Sequence, residues 1–196
     1  MAELVIATAN TGKLAEYRSL LAATGIQLVS FETGAAETGD SYAENARIKA
    51  EAAVAARGLA ALGDDSGIEV EALGGFPGLR SARLAPTQKE RTAALLDRLD
   101  GHPRPWRARF VCVIALAAPG EHTRYFEGER WGEVVPEWRG TLGFGYDPVF
   151  FVHEAGRTFG EMDPKEKERW SHRGAAVRSL LESGALDRLG AARGYP

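Results

Sequence analysis

Hydrophobic residues along the chain form short runs of strand length, and these alternate with longer segments in which apolar positions recur at helical spacing. This alternation favours an α/β protein, in which helices cover the faces of a sheet. The predicted strand over residues 123–135 is interrupted by Gly132. The predicted strands are residues 4–7, 27–30, 59–62, 68–70, 109–117, 123–135 and 149–152.

Capping residues mark where two of the helices begin. Ser41 followed by Glu44, and Thr87 followed by Glu90, both match the capping-box pattern. A glycine shortly after an apolar helical segment is a common helix stop, and it bounds the first two helices. The predicted helices are residues 13–23, 41–58, 87–99 and 175–189.

The size of the chain predicts one substantial core. It has 196 residues, of which 44% are hydrophobic, so we expect a single domain over residues 1–196. A glycine and two prolines in residues 100–106 make that segment the predicted hinge. The net charge of −3 argues against broad nucleic-acid binding and favours a small anionic substrate.

Cysteine content and the N-terminal segment bear on the compartment. Cys112 is the one cysteine of the sequence and lies in an apolar run, so we expect it in the core and expect no internal disulfide. The chain begins without a basic segment followed by a long apolar one, and it has no apolar stretch of about 18 residues. We therefore expect a cytoplasmic protein with no membrane contact.

The first predicted strand leads through a short polar loop into the first helix. Thr8, Asn10 and Lys13 supply hydrogen-bond donors there, and Gly12 allows a ligand close to the backbone. A helix start adds unpaired N–H groups and partial positive charge, so this segment predicts a phosphate-binding loop. The alternative is an ordinary strand-to-helix turn, and the spacing is not that of a P-loop.

Two adjacent carboxylates, Asp64 and Asp65, follow one apolar run and precede another. This position predicts a strand end, where α/β proteins commonly bind ligands. Two carboxylates about 4 Å apart repel by on the order of 4 kcal/mol at an effective dielectric of 20, so a partly buried pair needs a cation. Mg²⁺ prefers carboxylate, water and phosphate oxygens and is the predicted cofactor. The alternative is a solvated turn.

Glu37 and Lys49 flank the start of the second predicted helix. Glu37 is a candidate for a further metal ligand, and Lys49 for a second phosphate donor. The alternative is that both are solvated surface charges. Because the chain has only five lysines, those that fall in candidate segments are mildly informative.

A glycine-rich loop with two aromatic residues, Phe144 and Tyr146, is a candidate base-binding segment. A flat base can stack on an aromatic ring, which contributes roughly 1–3 kcal/mol per base. The alternative is a tight turn that packs its aromatic rings into the core. Further along, Lys167, His172 and Arg173 supply donors at a helix start; an arginine can bond the O6 and N7 edge of a 6-keto purine. The alternative there is a surface cluster.

Six groups of residues occur in order along the chain and together resemble the inosine triphosphate pyrophosphatase family, which removes non-canonical purine nucleoside triphosphates. The resemblance implies an elongated α/β fold with a long mixed sheet flanked by helices, two lobes with a central active-site cleft, and a homodimer. It also implies Mg²⁺-dependent cleavage of ITP, dITP and XTP to the monophosphate and pyrophosphate. The groups are Thr8, Asn10 and Lys13; Glu37 to Gly39; Asp64 to Gly67; Gly74 to Gly78 with Ser81 to Arg83; Phe144 to Pro148; and Ser171 to Arg173.

The same resemblance implies a role for each matching residue. Asp65 corresponds to the general base. Glu37, Asp64 and Asp65 are implied to lie in or near the metal shell. The resemblance implies that residues near the N-terminus bind the phosphates and that Ser66 contacts the substrate. It also implies that residues later in the chain form the pocket for the base and sugar. The residues implied to bind substrate are Thr8, Asn10, Lys13, Lys49, Ser66, Phe144, Gly145, Tyr146, Asp147, Lys167, His172 and Arg173.

Two other functions fit the same residues. A phosphoryl transferase would use the same phosphate-binding loop but would pass the phosphoryl group to an acceptor. A non-catalytic regulator would bind a purine nucleotide without consuming it and would tolerate the loss of Asp65.

Overall fold

The strands form one mixed sheet. The computed structural model of the chain describes residues 2–187, and within them the strand order is β2-β1-β3-β4-β5-β6-β7. β1 pairs in parallel with β2 and β3, whereas β6 pairs antiparallel with β5 and β7. This confirms the predicted α/β fold with a mixed sheet. The strands are β1 (Glu3–Ala7), β2 (Gln27–Ser30), β3 (Ala61–Val70), β4 (Trp106–Ala117), β5 (Arg124–Val134), β6 (Phe150–Val152) and β7 (Arg157–Thr158).

Most helices begin where a side chain caps the first turn. Asn10, Ser41 and Thr87 each accept a hydrogen bond from a backbone N–H group three residues later, which satisfies one of the otherwise unpaired donors. The predicted helix over 175–189 begins earlier, and residues 188–189 lie outside the described residues. The helices are α1 (Thr11–Leu20), α2 (Tyr42–Arg57), α3 (Gln88–Leu99), α4 (Pro164–Trp170) and α5 (His172–Glu182).

The chain divides into two compact units. Of the described residues, unit 1 holds 2–65, 112–128 and 173–187, and unit 2 holds 66–111 and 129–172. Residues 100–106, the predicted hinge, lie within unit 2, and hinge motion there stays a prediction. None of the helices in residues 2–187 combines the length and the apolar character needed to cross a bilayer.

Unit 1 buries its core on β1, the beginning of β3 and the inner faces of α1 and α5. Because β1 has a parallel partner on each side, its residues from Leu4 onward are almost completely buried, as expected for a strand inside a parallel region. Cys112 is fully buried here, which confirms its predicted core position. The central residues of this core are Leu4, Ile6, Tyr17, Leu62, Ile114 and Val177.

Unit 2 has a core rich in aromatic rings. Phe110 meets Phe150 edge to face with 4.7 Å between ring centroids, and Phe150 stacks on Phe159 at 5.2 Å. Such aromatic pairs add about 0.5–1.5 kcal/mol each beyond the area that they bury. Tyr146 and Met162 belong to the same buried cluster.

Gly63 lets α2 pack directly on β3. A Cβ atom at this position would overlap the carbonyl oxygen of Ala46 and would lie 2.7 Å from the backbone nitrogen of Ala50. Ala46, Ala50 and Ala53 are fully buried, so the face of α2 toward the sheet consists of small side chains. This close approach sets the position of the polar residues that α2 carries at its first turns.

Three elements differ from the predictions in number or kind. β3 is one continuous strand, not two strands over 59–62 and 68–70 with a turn between them. α4 and the two-residue strand β7 were not predicted, because each is too short for its hydrophobic period to be recognised.

Candidate active site

The two adjacent aspartates lie inside β3, so their predicted position at the end of a strand is wrong, and they do not form the alternative, a solvated turn. The last pair between β1 and β3 is Ala7 with Gly63, and Asp64 is therefore the first β3 residue beyond the end of β1. Side chains of neighbouring strand residues point to opposite faces of a sheet. Asp64 and Asp65 accordingly reach different groups of residues within unit 1.

Asp64 accepts hydrogen bonds from four side chains. Its donors are the Lys13 ammonium, the Arg173 Nε at 2.9 Å, the Tyr17 hydroxyl at 3.2 Å and the Cys112 thiol at 3.3 Å. The carboxylate is 5% exposed. A buried carboxylate of this kind is stable only when it is paired and hydrogen-bonded, and this one is.

Opposite charges keep Asp64 ionised. Burial alone would raise the pKa of its carboxyl, but Arg173, Lys13 and Lys49 outweigh burial and hold that pKa well below its usual range. Burial and the charge of Asp64 raise the pKa of Tyr17 and of Cys112 well above their ordinary values. Both groups therefore keep their protons at neutral pH and can donate to the carboxylate.

Asp65 faces the first turns of α2. Its Oδ2 accepts from the Asn45 amide at 3.0 Å, and its Oδ1 lies 3.7 Å from the Lys49 ammonium. The carbonyl oxygen of Asn45 accepts from the Gly39 N–H at 2.9 Å, so both ends of that amide are engaged. The Lys49 ammonium also donates to Glu37 at 2.7 Å, and one lysine thus contacts two carboxylates.

The pKa of Asp65 moves in the direction opposite to that of Asp64. Burial raises the pKa of the Asp65 carboxyl, and the nearby charge of Glu37 raises it further, while Lys49 and Lys13 only partly compensate. Burial would lower the pKa of Lys49, but the surrounding carboxylates raise it above its usual value. Two neighbouring carboxyls with pKa values displaced in opposite directions are a common arrangement where one is an anchor and the other transfers a proton.

The residues around Asp65 provide a limited set of metal ligands. Within residues 2–187, no three or more His, Cys, Asp or Glu side chains group closely enough to hold a metal ion by themselves. However, a carboxylate oxygen of Glu37 and one of Asp65 both lie within 4 Å of the Lys49 ammonium. Two carboxylates close to each other suit Mg²⁺, which commonly takes one or two carboxylates with substrate phosphates and water.

The loop before α1 is held by its own side chains. The Asn10 carbonyl oxygen accepts from the Lys13 N–H at 3.0 Å, and the Thr8 hydroxyl accepts from the Asn10 N–H at 3.1 Å. Asn10 is thus the helix cap, and it is exposed together with Thr11, the first residue of α1. The predicted contacts of Thr8, Asn10 and Lys13 with phosphate stay predictions.

Two of the predicted base-binding residues of unit 2, Phe144 and Lys167, contact Asp147. This buried carboxylate accepts from the Phe144 N–H at 2.6 Å and from the Lys167 ammonium. The same ammonium lies 4.6 Å from the centre of the partly exposed Phe144 ring. His172 is buried and stacks on Phe110 with a centroid distance of 4.6 Å.

Tyr146 and Arg173 are both buried, each in a different unit. The ring of Tyr146 is buried in the core of unit 2, which is the packing alternative for this loop. Arg173 is 1% exposed and belongs to the Asp64 cluster of unit 1, where it also pairs with Glu16. Ser66 follows Asp65 on β3 as the first residue of unit 2. Substrate contacts for these residues stay predictions.

Tyr17, Glu16 and Asn45 were not predicted as site residues. A signal was available, because Tyr17 is four residues after Lys13 and Lys49 is four residues after Asn45. Residues at this spacing share a face of a helix. The pairing of each face with a particular aspartate depends on the packing of α1 and α2 on β3.

Fold and site together define an α/β protein in which adjacent carboxylates are paired with lysines, a residue set typical of proteins that bind phosphate. The Ham1 family model matches residues 4–183. A relative from Gloeobacter violaceus, named dITP/XTP pyrophosphatase, is 50% identical over 180 residues that cover 91% of this chain and 92% of the relative. A Thermus thermophilus relative with the same name is 47% identical over 190 residues, or 92% of this chain and 91% of the relative.

Solved structures agree with the sequence matches. The structure of a HAM1 protein from Coxiella burnetii has a TM-score of 0.83 at 40% identity and covers 93% of this chain and 98% of its own. The Ham1 protein of Staphylococcus aureus has a TM-score of 0.81 at 34% identity, with coverage of 95% and 99%. This chain belongs to the Ham1 family, and the predicted family resemblance is confirmed.

Proposed function

We propose that this chain hydrolyses non-canonical purine nucleoside triphosphates, namely ITP, dITP and XTP, to the monophosphate and pyrophosphate. Relatives that match more than nine-tenths of its length are named dITP/XTP pyrophosphatase. The observation that carries the proposal is the arrangement of Asp65, Lys49 and Glu37, in which a mostly buried carboxylate lies beside a cation and a second carboxylate.

Asp65 is proposed as the general base. Its raised pKa brings the carboxyl closer to the range in which it can accept a proton from water. The water oxygen forms a bond to the α-phosphorus, the bond from that phosphorus to the bridging oxygen of pyrophosphate breaks, and Asp65 takes the proton of the water. Asn45 holds the carboxylate in position during this step.

The residues that would hold Mg²⁺ are Asp65 and Glu37. Asp64 is a weaker candidate, because its two oxygens already accept hydrogen bonds from four side chains. When bound, the ion would supply positive charge to the phosphates and to the leaving pyrophosphate.

For the phosphates, we propose contacts with Thr8, Asn10, Lys13 and Lys49. The start of α1 adds backbone N–H groups and partial positive charge to the two lysines. Donors that are already positioned need little reorganisation as charge develops on the leaving group. In this role, Asp64 is the anion that holds the Lys13 ammonium in place.

For the base and sugar, we propose contacts with a group of residues that starts in the loop before the β6 strand and includes Ser66. Donors in this group would bond the 6-keto oxygen of hypoxanthine or xanthine. The 6-amino group of adenine is itself a donor, so it would leave these protein donors without an acceptor. Buried hydrogen-bonding groups left unpaired in this way give strong discrimination. The proposed residues are Ser66, Phe144, Gly145, Tyr146, Asp147, Lys167, His172 and Arg173.

The proposal is tested by incubating the purified protein with ITP, XTP, ATP or GTP, with and without Mg²⁺, and assaying pyrophosphate against orthophosphate. We expect pyrophosphate from ITP and XTP, dependence on Mg²⁺, and a loss of about 10²- to 10⁴-fold in kcat for Asp65→Asn. The exposed Asp97→Asn is the matched control. Transfer of phosphate to an acceptor would indicate a phosphoryl transferase, and binding of ITP without turnover would indicate a regulator.

A homodimer and a cytoplasmic location are further proposals that rest on the family resemblance. Light scattering coupled to gel filtration measures the mass of the assembly in solution, and a monomer at assay concentrations would refute the dimer. Cell fractionation tests the location.

A further inference from the structure

Two side chains of α3 hold the backbone of Gly145, in the middle of the proposed base-binding loop. The Gly145 N–H donates to the side-chain oxygen of Gln88 at 3.0 Å, and the Gly145 carbonyl accepts from the Thr92 hydroxyl at 3.3 Å. Gln88 and Thr92 are four residues apart and share one face of the helix. Both backbone polar groups of Gly145 are therefore bonded to one element of unit 2.

The backbone conformation of Gly145 explains why a glycine occupies this position. Its φ is +65°, a region that favours glycine, although a Cβ atom there would meet nothing within 4 Å. The glycine thus serves backbone direction and not close packing. Thr92 is fully buried, and a buried hydroxyl requires a hydrogen-bond partner, which Gly145 provides.

The neighbouring residues of the loop are fixed as well. The Tyr146 hydroxyl donates to the Ser81 carbonyl at 2.8 Å. Burial raises the pKa of this phenol to about 12, so it remains a donor at neutral pH. On the other side, Asp147 accepts from the Phe144 N–H and closes the loop on itself. With Tyr146 and Asp147 directed inward, the Phe144 ring is the partly exposed aromatic of the loop.

Arg91 holds the segment that leads into α3. Its Nη1 donates to the carbonyl oxygens of Ala82 and Ala85 at 3.0 Å and of Pro86 at 3.2 Å. The first turn of α3 is thereby fixed to the residues that follow Ser81. Gln88 and Thr92 are consequently presented to Gly145 from a rigid support.

We propose that Gln88 and Thr92 are positioning residues for purine selectivity, which act by holding Gly145 so that Phe144 and the loop backbone meet the base in one orientation. The proposal rests on the proposed function, because it concerns the loop that we assign to the base. Discrimination by hydrogen bonds requires donors and acceptors held to within about 0.5 Å. A loop released from α3 would bind the base less well and with less preference.

The test uses variants that remove or retain each hydrogen bond. Thr92→Val and Gln88→Met remove the donor and the acceptor at similar volume, whereas Thr92→Ser and Gln88→Glu retain them. Lys89→Met, at the exposed neighbour of Gln88, is the matched control. For each protein, KM and kcat are measured with ITP and with ATP, and the melting temperature is recorded.

Removing either bond should lower kcat/KM for ITP by about 2- to 10-fold, mainly through KM. It should also reduce the ratio of kcat/KM for ITP to kcat/KM for ATP. Thr92→Ser, Gln88→Glu and Lys89→Met should stay near wild type. The proposal is overturned if Gln88→Met and Thr92→Val keep the wild-type KM and ratio, or if Thr92→Ser is as impaired as Thr92→Val. Gln88 is exposed, so its variants remain informative if Thr92→Val fails to fold. A wild-type protein that hydrolyses neither ITP nor XTP would instead refute the proposed function.

Discussion

Replacing Arg173 by methionine removes one cation from a group of four charges, of which Arg173 and Asp64 are buried and Lys13 and Glu16 are partly exposed. Asp64 and Glu16 supply two negative charges, and Lys13 and Arg173 supply two positive ones, so the group is formally neutral. Methionine keeps much of the arginine volume but leaves one negative charge without compensation. We expect the variant to be strongly destabilised.

The burial of these side chains sets the size of the effect. Arg173 is 1% exposed and Asp64 is 5% exposed, so water cannot replace the missing guanidinium. Removing one partner of a buried ion pair costs about 3–5 kcal/mol. At roughly 2–4 °C per kcal/mol for a protein of this size, the melting temperature should fall by roughly 6–20 °C.

A double-mutant cycle measured by urea unfolding separates charge imbalance from lost packing. Asp64→Asn in the Arg173→Met background restores neutrality, so the double variant should be more stable than the two separate losses predict, by about 1.5 kcal/mol or more. The exposed pair of Arg107 and Glu71, 3.8 Å apart, is the control, with an expected coupling below about 1 kcal/mol. Additive losses at Arg173 and Asp64 would refute the reasoning.

Three further changes probe other parts of the structure. Gly63→Ala should lower stability by roughly 1–3 kcal/mol, because a methyl group would overlap the α2 backbone, and an unchanged urea midpoint would contradict this. Tyr17→Phe removes a buried donor to Asp64 and should cost about 1–2 kcal/mol in urea unfolding, whereas Tyr125→Phe at an exposed ring should cost almost nothing. Hydrogen bonds from Thr158 lower the pKa of Glu161. The wild type should therefore be more stable than Glu161→Gln above about pH 4.5, and this advantage should be lost as the pH falls through the lowered pKa. Thermal melts that show the same difference in melting temperature between the two proteins at pH 3 and at pH 7 would oppose this.

Local patterns predicted much of the fold. The strand over 27–30 has the predicted bounds, and the capping residues Ser41 and Thr87 mark helices that begin at the next residue. These predictions succeeded because a cap and a hydrophobic period act within a few neighbouring residues. β3 was not predicted as one strand because Asp64 and Asp65 interrupt its apolar pattern. The burial of Asp64 depends on cations from distant parts of the chain.

The candidate site shows the same division. Lys13, Glu37, Lys49 and the two aspartates were predicted from residue type and order, since phosphate and metal chemistry requires those groups. Which cation would meet which carboxylate depends on the side-chain alternation along β3 and on the packing of α1 and α2 against it.

The amino-acid sequence alone determined the family, the helix caps and the chemical character of the site residues, because these depend on short motifs and on their order. Only the tertiary structure decided that Asp64 is buried and kept ionised by the charges of Lys13 and Arg173. It also decided that Asp65, beside Asn45 and Lys49, has a raised pKa. The physical reason is that burial and the charges of residues remote in sequence set a carboxyl group's proton affinity, and only folding brings those residues together.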